Sequence, residues 1–500
     1  MELNPRNKKA AKVILNEESS LVIKRRPEIQ LYLEASNLNL KKDSFYTSAK
    51  DKLNSILSMA SSQDKAFVLG LSKFLADKGL KTSPVLLLSA LSNGGYPFVG
   101  QNVNYIFNTP KRIAEAVALQ NMGLVKLNNS FKKRVLKTAL ENMEEHTLKK
   151  AKMKRNKVKL RDLIKLLRPT PHTPKKKDLY KAIIQNSNEA SLKEEGRNMV
   201  AIKSSTKLTK EEKKEEIAKN IEDIPINQLI RNLKFLAEEY DFEKNIEMQK
   251  KVVKQLSSIK NYRFLNIFDV ITAAVYVPVF EKALFEVVKK FISNLEFKFD
   301  GDATVLFDIS GSMLSNGEVQ DNLFKGLLYL ALFSRLFKVD LYTFAESLQK
   351  KDKCLPQVIE LLEKGAYARA HKIFKEYAQK NSGGTALLNS ARDLLDSQKV
   401  HKNFIIISDE VSWTEGSNLT GAIDELSNKV ADRNLIVINP AVSVGTVFKK
   451  NVLAVSSLNP SILTDMSILV DEQGFINYIR KYKEANKNDT LLGHLGHSIS

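Results

Sequence analysis

The spacing of apolar residues changes once along this chain, near residue 300, and that change limits what it can fold into. From about residue 20 to 295 the apolar positions recur every three or four residues with few β-branched alternations, which predicts helix after helix. Ala66-Phe67-Val68-Leu69-Gly70-Leu71-Ser72-Lys73-Phe74-Leu75 is one amphipathic element. Ser83-Pro84-Val85-Leu86-Leu87-Leu88 opens another, with Ser at the cap and Pro in the first turn. Further helices are expected at 110–120, 130–150, 159–167, 224–236, 247–257 and 279–295, and paired short helices of this kind stack as a solenoid. A turn is expected at 93–97 and an exposed excursion or solvated helix at 187–220.

After residue 300 short apolar strands at 304–308, 339–344, 403–408, 434–440 and 452–455 alternate with helices at 320–337, 386–397, 420–429 and 473–483. Such alternation predicts a parallel sheet covered by helices on both faces. A helical insertion occupies 349–380, and the tail from 484 reads as disordered. The expected division is therefore an α-helical domain at 20–295 and an α/β domain at 300–485, an α + α/β chain.

The single cysteine, Cys354, cannot form an intramolecular disulfide, and no Cys/His spacing suits zinc, so a reducing cytoplasm is the expected compartment. No run of eighteen apolar residues occurs, and neither secretion nor membrane spanning is expected. The formal net charge of +21 is uneven: residues 1–300 carry 56 Lys+Arg against 34 Asp+Glu, leaving 22 against 23 for 301–500. A positive field confined to one part of a chain points to a polyanionic partner, with nucleic acid ahead of simple solubility.

The apolar run Ala303-Thr304-Val305-Leu306-Phe307 leads directly into Asp308-Ile309-Ser310-Gly311-Ser312. A strand end of this kind presents a carboxylate and two hydroxyls at the carboxyl edge of the sheet, where open α/β folds place their ligands. Hard oxygen donors suit Mg²⁺ first, with Mn²⁺ and Ca²⁺ as alternatives. Thr385, after Gly383-Gly384, and Asp409, after Phe404-Ile405-Ile406-Ile407-Ser408, are expected on the same edge. Taken singly, Thr385 reads as a loop residue and Asp409 as a helix cap. A phosphatase reading finds Ser310 where a second acid would stand, and no Walker lysine follows, so no catalytic activity is expected.

The densest basic stretch, 149–177, holds thirteen Lys/Arg and one acid, Asp162. Upstream, Lys133, Arg134 and Lys137 have the spacing to share a helical face. Lys159, Arg161, Lys165 and Arg168 complete the candidate phosphate contacts. Aromatic residues are not interleaved there, so backbone and shape recognition is expected rather than base stacking. The bland alternative is a solvated basic helix pair.

The set Asp308, Ser310, Ser312, Thr385 and Asp409 resembles the metal-ion-dependent adhesion site of von Willebrand factor A domains. That resemblance implies that the serines and threonine coordinate the ion, the first aspartate directly or through water and the second chiefly through water, leaving a position for an acidic partner group. The helical part, with Lys159-Leu160-Arg161-Asp162-Leu163-Ile164-Lys165-Leu166-Leu167, Pro169, Pro171 and Leu229-Ile230-Arg231-Asn232-Leu233, looks like the TROVE module. Together they resemble the Ro ribonucleoprotein family over roughly residues 20–480. The resemblance implies a HEAT-like helical ring closed by a Rossmann-like von Willebrand A domain. It also implies binding of small noncoding (Y-like) RNA and of ends of misfolded RNA, and the metal site offers a place for a further partner, a nuclease or other protein. The competing function is an adaptor that captures an acidic protein through that site.

Overall fold

The computed structural model describes residues 26–36, 49–93 (apart from 79 and 81), 106–149, 158–185, 209–259, 265–295, 301–314, 321–349, 352–397, 399–409, 433–441, 446–449, 452–456 and 462–482, with a few isolated positions. Positions 94–97 of the turn expected at 93–97, positions 187–208 of the excursion expected at 187–220, most of the helix at 420–429, and the tail from 484 lie outside those residues. Two compact units result: 24–207 with 473–494, and 208–472 with both chain ends. The helices of 208–295 thus group with the sheet, where the sequence boundary at 295–300 had separated them.

In the first unit the helices Pro27–Ser36, Ala49–Ser62, Lys65–Asp77, Thr82–Asn93 and Pro110–Asn121 bury apolar faces such as Phe67, Leu71, Phe74, Val85 and Leu88. Lys65–Asp77 is capped by Asp64, whose side chain accepts from Ala66 N at 3.2 Å. The helix expected to be capped by Ser83 starts at Thr82, so Ser83 lies inside it and its hydroxyl donates to the Ala35 carbonyl. The single helix expected at 130–150 is instead a π-helix, Phe131–Lys137, followed by Thr138–Asn142 and a separate turn, Glu145–Lys149. Lys176 explains part of that break. Its buried Nζ donates to the carbonyls of Glu141 and Met143, the latter at 2.6 Å, and satisfies the helix end.

The C-terminal helix Glu472–Arg480 packs in this unit as well. Phe475 meets Tyr32 at a ring separation of 5.0 Å, and a Cβ added at Gly70 would lie 1.9 Å from the Ile479 carbonyl oxygen. Arg480 pairs with Asp64 at 3.2 Å and Glu28 at 3.3 Å, and the Tyr482 hydroxyl donates to Asp77 at 2.8 Å.

The second unit is built on a six-stranded sheet in the order β2-β1-β3-β4-β6-β5. Strands β1 (Asp302–Asp308), β2 (Lys338–Phe344), β3 (Asn403–Ile407), β4 (Asn434–Asn439) and β6 (Val452–Ser456) run parallel. Only the edge strand β5 (Thr446–Lys449), which the sequence reading lacked, is antiparallel. Alternate residues face opposite layers. Leu306, Phe404 and Ile406 pack with Ala391 and Leu394 of the helix Leu387–Asp396. On the other face Gly326 lets the helix Asn322–Leu336 approach, since a Cβ there would lie 2.6 Å from the Phe307 ring.

The insertion is helical as expected, Cys354–Glu363 and Tyr367–Asn381. Its second helix meets helices preceding the sheet. Glu281 accepts from Ala368 N at 3.0 Å, and burial holds the Glu281 carboxyl above its ordinary pKa. Phe268 also packs on Tyr329 at 4.7 Å, which is why this helical stretch belongs with the sheet. No helix among the described residues is long and apolar enough to cross a membrane.

Candidate metal centre and nucleic-acid surface

Parallel register brings the ends of β1 and β3 side by side, with Phe307 opposite Ile407. One residue further on, Asp308 and Ser408 are both buried, and the Ser408 hydroxyl donates to Asp308 Oδ2 at 2.5 Å. Asp308 Oδ1 accepts from the backbone N–H of Ser310 at 2.8 Å, which folds the loop back over the strand end. The Ser310 and Ser312 hydroxyls lie 3.0 Å apart, and Ser312 Oγ donates to Asp409 Oδ1 at 2.9 Å. Four of the five expected oxygen-bearing residues are therefore joined in one chain of contacts.

Thr385 reaches the same edge through its loop. The Gly311 N–H donates to the Gly383 carbonyl at 3.1 Å, two residues before the half-buried Thr385. Glu346, just past the end of β2, accepts from Gly384 N at 3.4 Å and adds a third carboxylate to this edge.

Burial pushes the Asp308 carboxyl up to about 6; hydrogen bonds from Ser310 and Ser408 oppose that shift and the nearby Asp409 charge adds to it. Asp409 is also raised, by burial, against the donors Asn322 and Ser312. Once ionised, the two carboxylates beside the Ser310 and Ser312 hydroxyls are hard oxygen donors of the kind a divalent cation takes. Among the described residues no three His, Cys, Asp or Glu side chains gather as a metal cage, so such an ion would rely on hydroxyls and water.

Two contributors escaped the sequence reading, Ser408 and Asn322. Asn322 Nδ2 donates to Asp409 Oδ2 at 2.9 Å and follows Asp321, the N-cap of the next helix. The alignment of parallel strand ends was the available signal for Ser408. For Asn322 it was the polar pair opening a helix.

The basic residues of the first unit lie on two short elements. In the helix Leu160–Leu167, Leu160, Leu163, Ile164 and Leu167 are buried. Arg161, Lys165 and Arg168, at four- and three-residue steps, form the exposed face, with Lys159 exposed at the N-cap. Arg161 lies 3.4 Å from Asp162, and Arg168 closes the helix in the left-handed region at φ 46°.

Lys133 and Arg134 are exposed on the π-helix, while the half-buried Lys137 pairs with Glu141 at 3.6 Å. The π winding differs from the α winding assumed for a shared Lys133, Arg134 and Lys137 face. Glu141 also accepts from Thr170 N at 2.6 Å, which fastens the segment after the basic helix to the π-helical stretch. Of the thirteen cations in 149–177, Lys176 is turned inward, and burial lowers its pKa against the pull of Glu145 and Glu141. Positions 150 and 152–157 of that stretch lie outside the described residues.

Charge follows the units more sharply than the midpoint of the sequence. The first unit has 40 Lys+Arg and 17 Asp+Glu, net +23, and the second 38 and 40, net −2. Residues 208–300 are balanced at 16 and 16, so the basic field belongs to the first run of helices alone.

No protein-family model and no curated protein matches the sequence. Among solved structures, the crystal structure of the Ro protein (RSR) of Deinococcus radiodurans is similar over 85% of this chain and 94% of its own, at 13% identity and a TM-score of 0.56. Helical repeats joined to a Rossmann-like parallel sheet are thus common to both, and the chain has the fold of that Ro protein.

Proposed function

We propose that this chain is a non-catalytic RNA-binding protein of Ro type, which holds small noncoding RNA on the basic helical surface of its first unit. The observation that carries this reading is the exposed Arg161, Lys165 and Arg168 face in a unit of net charge +23. Three cations at helical spacing, in a stretch with no interleaved aromatic residues, favour contacts to a phosphate backbone, sequence-tolerant and salt-dependent. Lys133 and Arg134 extend the surface, and Lys159 stands at its margin. Noncoding RNA of the Y type, and ends of misfolded RNA, are the ligands that the Ro-like fold favours.

The decisive measurement is to purify the protein from its own cells, record its nucleic-acid absorbance, and sequence the RNA that it carries. A defined set of structured RNAs supports the reading. Salt-washed protein that prefers no RNA over heparin ends it.

A second reading draws on the oxygen cluster. Asp308, Ser310, Ser312, Thr385 and Asp409 would hold Mg²⁺, or Mn²⁺ or Ca²⁺, with Ser408 and Asn322 orienting the two carboxylates. The ion would supply a positive centre able to take an acidic group from a protein partner, such as a nuclease. Isothermal titration with Mg²⁺ and Mn²⁺, repeated on Asp308→Ala, tests that site directly.

A further inference from the structure

Neither functional reading gives the insertion 349–380 a role, although its second helix, Tyr367–Asn381, reaches the oxygen cluster by two routes. At its C-terminal end the helix runs directly into the loop of Gly383, Gly384 and Thr385, and the Gly383 carbonyl accepts from Gly311 N, between the two candidate serines. That end is anchored to the sheet, because the buried Tyr377 hydroxyl lies 3.0 Å from Thr343 Oγ1 of β2.

The second route runs through a side chain. Lys375 Nζ donates to Oδ2 of the buried Asp321 at 3.3 Å. The other carboxylate oxygen, Oδ1, accepts from Phe324 N at 2.7 Å and caps the helix Asn322–Leu336. A buried carboxylate needs partners for both oxygens, and Lys375 supplies the second from a different element.

The helix start that this pair fixes bears directly on the cluster. Asn322 Nδ2 donates to Asp409 Oδ2 at 2.9 Å, and Leu323 N donates at 3.0 Å to the carbonyl of Met313, the residue after Ser312. A shift of the helix start would move a partner of Asp409 and the end of the serine loop together.

We propose that Lys375 is a positioning residue of the candidate metal centre. Its ion pair with Asp321 sets the start of the helix Asn322–Leu336 and, through Asn322 and Met313, the placement of Asp409 and Ser312 around the cation. The proposal rests on the reading of the oxygen cluster as a divalent-cation site, and it gives the insertion the task of holding that site in register.

Position and through-space charge predict different outcomes. Lys375→Met removes a positive charge near the site, and by Coulomb attraction alone it would tighten Mg²⁺ or Mn²⁺. Asp321→Asn removes a negative charge and would loosen them, while Asn keeps a cap oxygen for Phe324 N. If charge alone acted, the double variant would return toward wild type. Under positioning, each single variant weakens the cation about threefold to tenfold, and the double variant is no weaker than either, since both break the same pair.

Isothermal titration of the full-length protein and the three variants with Mg²⁺ and Mn²⁺ reads these affinities, with circular dichroism melts as the check on folding. Should Lys375→Met melt early, hydrogen exchange on the wild-type protein decides. Coupling is reciprocal, so saturating Mg²⁺ should slow the amides of the helix Tyr367–Asn381, and unchanged exchange there overturns the assignment. Well-folded single variants that shift affinity in opposite directions, or leave it unchanged, overturn the role of Lys375 while Asp308→Ala still abolishes binding. A wild-type protein that takes up neither cation, or an Asp308→Ala protein that binds like wild type, overturns the metal reading itself and the positioning role with it.

Discussion

Arg168 holds a left-handed backbone, at φ 46° and ψ 59°, that costs a residue with a Cβ about 1 kcal/mol, yet it is the last cation of the exposed basic face. Arg168→Gly should therefore keep or raise the melting temperature while weakening RNA, an outcome that calorimetry and a binding isotherm check together. At the other site the pH dependence is fixed by Asp308. A buried carboxyl raised to about 6 is protonated below that pH, so Mg²⁺ affinity should fall as pH drops through about 6. The linkage to folding has the opposite sense. Because the folded pKa lies above the unfolded value of about 3.9, the ion-free fold is favoured below about pH 4 and loses that contribution as pH rises through about 6. Titration calorimetry on either side of pH 6 and melting curves with and without Mg²⁺ separate the two. Asp308, Ser310, Ser312 and Asp409 were nameable in advance because strand ends announce themselves by composition. Ser408 was not, since its role comes from a partner a hundred residues away.

The helices and strands follow the apolar spacing closely, because each buries one face and that face is written locally. The departures have specific causes. The expected helix at 130–150 breaks where Lys176 takes up the carbonyls of Glu141 and Met143, a tertiary contact that no local pattern encodes. The edge strand β5 depends on its antiparallel pairing with β6, and its short apolar content, Val447 and Phe448, does not reveal it alone. Gly70 is a tolerated helical glycine in sequence and a close-contact point in the fold. Gly70→Val should destabilise the first unit by about 1–3 kcal/mol, because its Cβ would overlap the Ile479 carbonyl. Urea unfolding checks the magnitude, and a variant as stable as wild type would mean that the C-terminal helix does not dock there.

Across the whole molecule the two candidate functions occupy separate compact units, one of net charge +23 and one near neutral. Independence follows from that separation. Asp308→Ala should abolish most Mg²⁺ binding and leave RNA affinity within about twofold, while Arg161→Glu, Lys165→Glu and Arg168→Glu together should do the reverse. The triple reversal should also flatten the dependence of log affinity on log salt by about 2–3 units if each cation meets one phosphate. Equal losses of both ligands in both proteins would defeat the division of labour.

The amino-acid sequence alone determined the change from helical repeats to an α/β sheet, the candidate oxygen donors and the existence of a localised basic field. These are properties of spacing and composition, which are read without knowing what touches what. Tertiary structure decided that residues 208–295 pack with the sheet, that Lys176 faces inward, and that the basic field stops at the first unit. Each of these depends on contacts between distant segments, and packing chooses among the many contacts that a local pattern allows.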